Sequence, residues 1–182
     1  MIRARLAQIR TLPGHPRDNA ARMIEHIRQA RADQVKLLVF PEMAIPGYII
    51  GDEWECESFL RECEQCAGEV RAAARNLVVV FGSVGIDWSK RNEDGRVRKY
   101  NALFAASGGR FLPPEGNPYP FVIKTLPPNY RQFDESRHFY DLRKLALELD
   151  TSVARLTGPV RAGRLSLGCV ICEDAWDTDY SV

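Results

Sequence analysis

Three residues in this sequence carry the side chains that nucleophilic acyl transfer requires: Glu42, Lys124 and Cys172. Each ends a run that reads as a buried strand. Glu42 follows Val39-Phe40-Pro41, Lys124 follows Phe121-Val122-Ile123, and Cys172 follows Leu167-Gly168-Cys169-Val170-Ile171. Ligands of open α/β sheets bind beyond the carboxyl ends of the strands, so these endings would bring a carboxylate, an ammonium and a thiol to one rim. A free thiol is only about 3% thiolate at pH 7. A neighbouring carboxylate can take its proton during attack, and a neighbouring ammonium favours the charged sulfur. The same ammonium can hold the oxyanion of a tetrahedral intermediate, where one lost donor typically costs roughly 2.7–4 kcal/mol. Histidine is not required. His15, His26 and His138 fall in a Pro-rich turn, a helical pattern and an irregular loop, and read as surface residues.

The elements that must position these groups alternate in type. Residues 2–8 alternate apolar and polar side chains as a strand does. A helical pattern runs from Asp18, a candidate N-cap, to Arg31, with Met23, Ile24, Ile27 and Ala30 as its apolar stripe. The nearly continuous apolar run of residues 35–40 suits a strand buried on both faces of a parallel sheet. A second helix over 58–75 and a strand over 77–81 repeat the rhythm. Strands joined by turns follow, with Asn92-Glu93-Asp94-Gly95 and Gly108-Gly109 as hairpin signals. A short strand over 121–124, an irregular Pro-rich stretch to Phe139, and two strands joined by Arg161-Ala162-Gly163-Arg164 complete the pattern. The class is α/β with a mixed sheet, and nothing marks an internal domain boundary.

Composition narrows the function classes. Apolar residues are 45% and charged residues 27% of the 182, which suits a globular chain and excludes a disordered one. Lys plus Arg number 25 against 24 for Asp plus Glu, so no bulk charge draws nucleic acid or an anionic membrane. No apolar run approaches the roughly 20 residues of a membrane helix, and the charged start MIRARLAQIR is unlike a signal peptide. Five cysteines make a disulfide framework unexpected, and a cytoplasmic location follows as the expectation. Cys63-x-x-Cys66 and Cys169-x-x-Cys172 could supply four zinc ligands, the non-enzyme alternative. Residues three apart in a strand point to opposite faces, which speaks against that site, and no metal is expected. Of the five thiols, Cys172 is expected to be the reactive one, with Cys169 turned into the sheet layer.

Phe40-Pro41-Glu42-Met43 with Pro46-Gly47-Tyr48, Lys124-Thr125-Leu126-Pro127, and Val170-Ile171-Cys172-Glu173-Asp174-Ala175-Trp176 together resemble the nitrilase superfamily of carbon–nitrogen hydrolases. Within it, the stretches Leu126-Pro127-Pro128-Asn129-Tyr130 and Phe133-Asp134-Glu135-Ser136-Arg137-His138-Phe139 are similar to the glutaminase domains of glutamine-dependent NAD⁺ synthetases. The resemblance spans residues 1–182 and implies an α-β-β-α sandwich. It implies Glu42 as general base, Cys172 as nucleophile on the glutamine side-chain amide, and Lys124 with the Glu173 N–H as oxyanion donors. Tyr130 would line the substrate pocket, and Glu135 would be a second carboxylate holding the lysine, with a surface loop acid as its plainer reading. The implied partners are glutamine, a second copy in a homo-oligomer, and a C-terminal synthetase domain that amidates deamido-NAD⁺. ATP and Mg²⁺ would belong to that absent domain, and no cofactor to this one. The sequence stops ten residues after Cys172, so the resemblance implies an N-terminal piece whose stand-alone activity is open. A nitrilase-type amidase or carbamoylase acting on another small amide would share the three catalytic residues.

Overall fold

The computed structural model of the chain describes residues 2–176. Strand β1 (Ala4–Leu6), helix α1 (Pro16–Ala32), strand β2 (Leu37–Val39), helix α2 (Glu57–Ala73) and strand β3 (Val78–Arg91) form two successive β-α-β crossovers. β1, β2 and β3 are parallel neighbours, with Leu6 opposite Val39 and Val39 opposite Val80. β3 returns through the turn at 92–96 into antiparallel β4 (Val97–Ser107), and β5 (Arg110–Phe111) and β6 (Val122–Ile123) both pair with β4. β6 therefore runs parallel to β2 and β3, which puts Glu42 and Lys124 at the same rim. β7 (Val160–Ala162) and β8 (Leu165–Leu167) form a separate two-stranded sheet.

The two faces of the main sheet follow the period of two. Leu38, Val79 and Phe81 face the helices, packing with Met23, Ile27 and Ala30 of α1 and Leu60, Cys63, Ala67 and Val70 of α2. The intervening residues Val78, Val80, Ala105 and Val122 pack with Val160, Ile171 and the β7–β8 hairpin on the opposite face. Each fully buried Leu, Ile or Val contributes about 1.5–3 kcal/mol. The α1 stripe thus stabilises the crossover without help from a cap. Asp18 is not that cap: His15 holds the position with no side-chain bond, Pro16 opens the helix, and Asp18 lies in its first turn, where its charge suits the helix dipole.

Other expectations fail for identifiable reasons. The stretch after β6 contains three short helices, α3 (Glu135–His138), α4 (Leu142–Glu148) and α5 (Val153–Leu156), too brief to show periodicity. The strand expected to run through to Cys172 ends at Leu167, belongs to the small sheet, and is followed by a 3₁₀ turn, Cys172–Trp176. Another 3₁₀ turn, Gly51–Glu55, precedes α2.

Gly82 of β3 is where sheet and site meet. Its N–H donates to Pro41 O at 3.1 Å and its carbonyl accepts from Ile45 N at 3.4 Å, so the backbone carrying Glu42 lies directly on this residue. A Cβ there would sit 2.4 Å from Met43 N and 2.6 Å from Glu42 Cα. Gly68, inside α2, has open space around its missing Cβ. Gly82→Ala is therefore predicted to destabilise by about 1–3 kcal/mol through overpacking. Gly68→Ala should stabilise by about 0.5–1 kcal/mol. Urea unfolding of the two variants checks both, and shifts of the same sign would contradict this packing.

Candidate active site

Lys124 extends β6 by one residue, its N–H donating to Asn101 O across the pair with β4 at 3.0 Å. Its side chain is only 2% exposed, and a buried ammonium needs anionic partners. Two are present. Nζ lies 2.8 Å from Glu42 Oε1 and 2.8 Å from Glu135 Oε1. Asn101 Nδ2 donates to Glu42 Oε1 at 2.7 Å and to both oxygens of Glu135 at 3.2 and 3.3 Å, bridging two like charges. The Tyr48 hydroxyl also donates to Glu135. Burial pushes the Lys124 pKa down, but the two carboxylates outweigh it and the net shift is upward. Burial raises the Glu135 carboxyl despite Lys124. Burial and the bond to Glu135 keep Tyr48 far above the usual phenol range.

Cys172 opens its 3₁₀ turn with φ of 50°, the left-handed region that costs a non-glycine residue about 1–3 kcal/mol. The turn is tied down by Asp174, a buried carboxylate that accepts from Thr125 N at 3.1 Å and Leu126 N at 2.8 Å, the two amides after Lys124. The Cys172 turn and the Lys124 strand end are thereby one unit. The Cys172 thiol lies within electrostatic reach of Glu42 and Lys124, beside the Glu173 N–H. Cys172 is exposed as a residue, and partial desolvation of its sulfur together with the Glu42 charge raises the thiol pKa, with Lys124 opposing them. The resting sulfur is therefore protonated, near a carboxylate that can take its proton. An ammonium has three N–H bonds. Two of those on Lys124 go to carboxylates, leaving one for an oxyanion beside the Glu173 N–H. Half-exposed Tyr130 donates to Glu173 Oε2 at 3.0 Å, which holds that phenol's proton and raises its pKa.

Every residue expected in the site is thus brought to one place, although Cys172 arrives on a turn and not at a strand end. The surface-acid reading of Glu135 is overturned, since it is 4% exposed. His138 is buried as well, paired with Glu55 and not at the surface. Asn101, Tyr48, Asp174 and Gly82 were missed as contributors. An asparagine inside an apolar strand was the available signal, because a buried amide demands partners. Among the other thiols, burial raises Cys63, raises Cys66 to about 11, and raises Cys169. Exposed Cys56 is lowered by the Ser58 hydroxyl and the Phe59 N–H, so Cys172 is not the most acidic thiol at rest. Cys63 and Cys66 pack on the helical face and Cys169 on the opposite one, which separates the four ligands of the zinc alternative.

Residues 3–176 match the family described as Carbon-nitrogen hydrolase. The chain belongs to the carbon–nitrogen hydrolase family. It is 33% identical over 176 residues to the glutamine-dependent NAD(+) synthetase of Xanthomonas campestris pv. campestris (strain 8004), covering 96% of this chain and 27% of that one. Identity to the synthetase of that name from Thermotoga maritima is 32% over 178 residues, covering 97% and 26%. The solved glutamine-dependent NAD+ synthetase from Acinetobacter baumannii, in complex with ADP, superposes with a TM-score of 0.67 at 26% identity, over 95% of this chain and 28% of that one. The carbon–nitrogen hydrolase chain thus spans about a quarter of the length of these relatives. Its mixed sheet, helices on one face and hairpin on the other, is nitrilase-like. Among the described residues, no helix is long and apolar enough to cross a membrane.

Removing Lys124 should expose how the site balances charge. Lys124→Met leaves the Glu135 carboxylate buried without a cation, predicted to cost about 3–5 kcal/mol. A carboxyl whose folded pKa is raised binds its proton more tightly in the folded state, so this loss should shrink as pH falls. Lys124→Met with Glu135→Gln should recover most of it at neutral pH. In the unaltered protein, the lysine's raised pKa implies pairing that is fully present below about pH 10.4 and lost at higher pH, through its folded value. Urea unfolding across pH reads each; a pH-independent loss unrelieved by the double variant would contradict the pairing.

Proposed function

We propose that this chain is the glutamine-hydrolysing part of a glutamine-dependent NAD⁺ synthetase. The observation that carries the reading is that Glu42 and Glu135 share the buried Lys124 ammonium, with the Cys172 thiol close enough to feel both Glu42 and Lys124. The glutamine-dependent relatives supply the substrate class, and residues 1–182 are read as part of one glutaminase domain. Cys172 Sγ attacks the side-chain amide carbon as its proton passes to Glu42. The oxyanion is held by Lys124 Nζ and the Glu173 N–H. As the tetrahedral intermediate collapses, Glu42 returns the proton to the leaving nitrogen, and ammonia departs from a glutamyl thioester. Water then attacks, Glu42 takes its proton, and the departing sulfur regains one as glutamate leaves. Tyr130 and Glu173 are read as substrate-binding residues. The ammonia is consumed by a C-terminal ATP- and Mg²⁺-dependent domain that amidates deamido-NAD⁺, and no residue here is assigned to that chemistry.

One substitution separates this mechanism from simple proximity. Glu42 raises the Cys172 pKa, so Glu42→Gln lowers it, and iodoacetamide should label Cys172 faster at neutral pH. Glutamine hydrolysis in the full-length protein should fall by about 10²–10⁴, the usual contribution of a general base. Synthesis of NAD⁺ from free ammonia should persist. Slower labelling together with retained hydrolysis would contradict the base assignment. Faster turnover of propionamide than of glutamine by the unaltered protein would overturn the substrate.

A further inference from the structure

A second, partly buried ion cluster takes no part in the chemistry above. Lys99 of β4, 1% exposed, donates from Nζ to Glu55 Oε2 at 2.6 Å. His138 Nδ1 lies 2.9 Å from Glu55 Oε1, and Arg96 reaches that oxygen at 3.5 Å. Burying an ammonium beside a carboxylate is no cheaper than packing apolar groups, so the cluster calls for a reason beyond stability. Its position supplies one. Glu55 closes the 3₁₀ turn Gly51–Glu55, and His138 ends α3, the single turn that begins with Glu135.

One helical turn has no stability of its own. Anchors at both ends therefore set the orientation of α3. Asn129 Oδ1 accepts from Ser136 N at 3.0 Å at the start, and Tyr140 N donates to Lys99 O at 2.7 Å just after the end. Glu135 and His138 are three residues apart and share a face. One meets Lys124, the other Glu55. Trp54 packs on Phe139 with ring centroids 4.9 Å apart, but apolar contact is non-directional and does not fix rotation. The ion pair of Arg137 with Asp52 is exposed and adds little. Beside α3 lies a cavity of about 140 Å³ lined by Tyr48, Trp54, Phe133, Glu135, His138 and Phe139, so packing alone leaves room for the turn to move.

We infer that Glu55 and His138 are positioning residues for acyl transfer: their hydrogen bond fixes the rotation of α3 and holds Glu135 Oε1 on Lys124 Nζ. The inference rests on the hydrolytic function proposed above. If the pair acts through Glu135, breaking it should matter only while Glu135 is present. The test is a double-variant cycle in the full-length protein, with glutamine and propionamide as substrates. His138→Phe breaks the bond directly. Glu55→Leu with Lys99→Met breaks it without leaving a buried charge unpaired, and carries the cycle if His138→Phe does not fold. Each break should lower kcat about ten- to hundredfold, the scale of a 1 Å misplacement, with KM changed less than about twofold. His138→Gln, which can still bond Glu55, should stay within about threefold of the unaltered kcat. On a Glu135→Gln background, neither break should reduce kcat further. Losses that multiply with Glu135→Gln, or that appear in KM alone, overturn the inference. Failure of the unaltered protein to hydrolyse either amide would instead overturn the hydrolytic reading.

Discussion

The ammonium of Lys124, buried between Glu42 and Glu135, is the interaction on which the rest of the site depends. One cation serves two carboxylates, and desolvation of the sulfur together with the Glu42 charge keeps Cys172 beside them protonated. A resting thiol is less open to oxidation than a thiolate. Activation is thus deferred until a substrate carbonyl is present to receive the electron pair. Asn101 makes the crowding tolerable. Its amide gives its donors to both carboxylates and leaves Oδ1 buried without a partner, at a cost of about 1–3 kcal/mol. Flipping the amide would aim that oxygen at two anions, so the orphan is the lesser penalty.

Backbone constraints deliver these side chains. Met43 and Cys172, at φ of 49° and 50°, are both held in the left-handed region, one next to Glu42 and the other carrying the thiol itself. Each sharp turn lifts a side chain off its element and into the rim. They persist because the surroundings over-determine them: the Glu42 segment rests on Gly82, and the Cys172 turn is bonded through Asp174 to the strand end of Lys124. Parallel β2 and β6, with antiparallel β4 placing Asn101 level with Lys124, complete the frame, and Glu135 reaches it on α3 after the irregular stretch 124–134.

Much of this was legible in the sequence. Apolar runs ending in Glu42 and Lys124 foretold two strands and one rim, because parallel strands buried on both faces leave polar residues only at their ends. Helices α1 and α2 declared themselves through stripes such as Met23, Ile27 and Ala30. Resemblance singled out Glu135, which residue pattern alone left between a buried ligand and a surface acid; burial at 4% decides it. What stayed hidden was non-local. That Cys172 sits on a turn depends on a left-handed residue that no propensity foretells. The burial of His138 depends on Glu55 across 83 positions, and the role of Asp174 on amides 48 and 49 residues away. Contacts of that separation leave no periodicity in the chain.

The covalent intermediate is the most direct measure of whether Cys172 performs amide cleavage. Full-length protein mixed with glutamine, quenched in acid during turnover and digested, can be weighed peptide by peptide. A glutamyl adduct on the Cys172 peptide, removed by hydroxylamine and absent from Cys172→Ala, is the predicted result. An adduct on any other cysteine, or undiminished glutamine hydrolysis by Cys172→Ala, would contradict it.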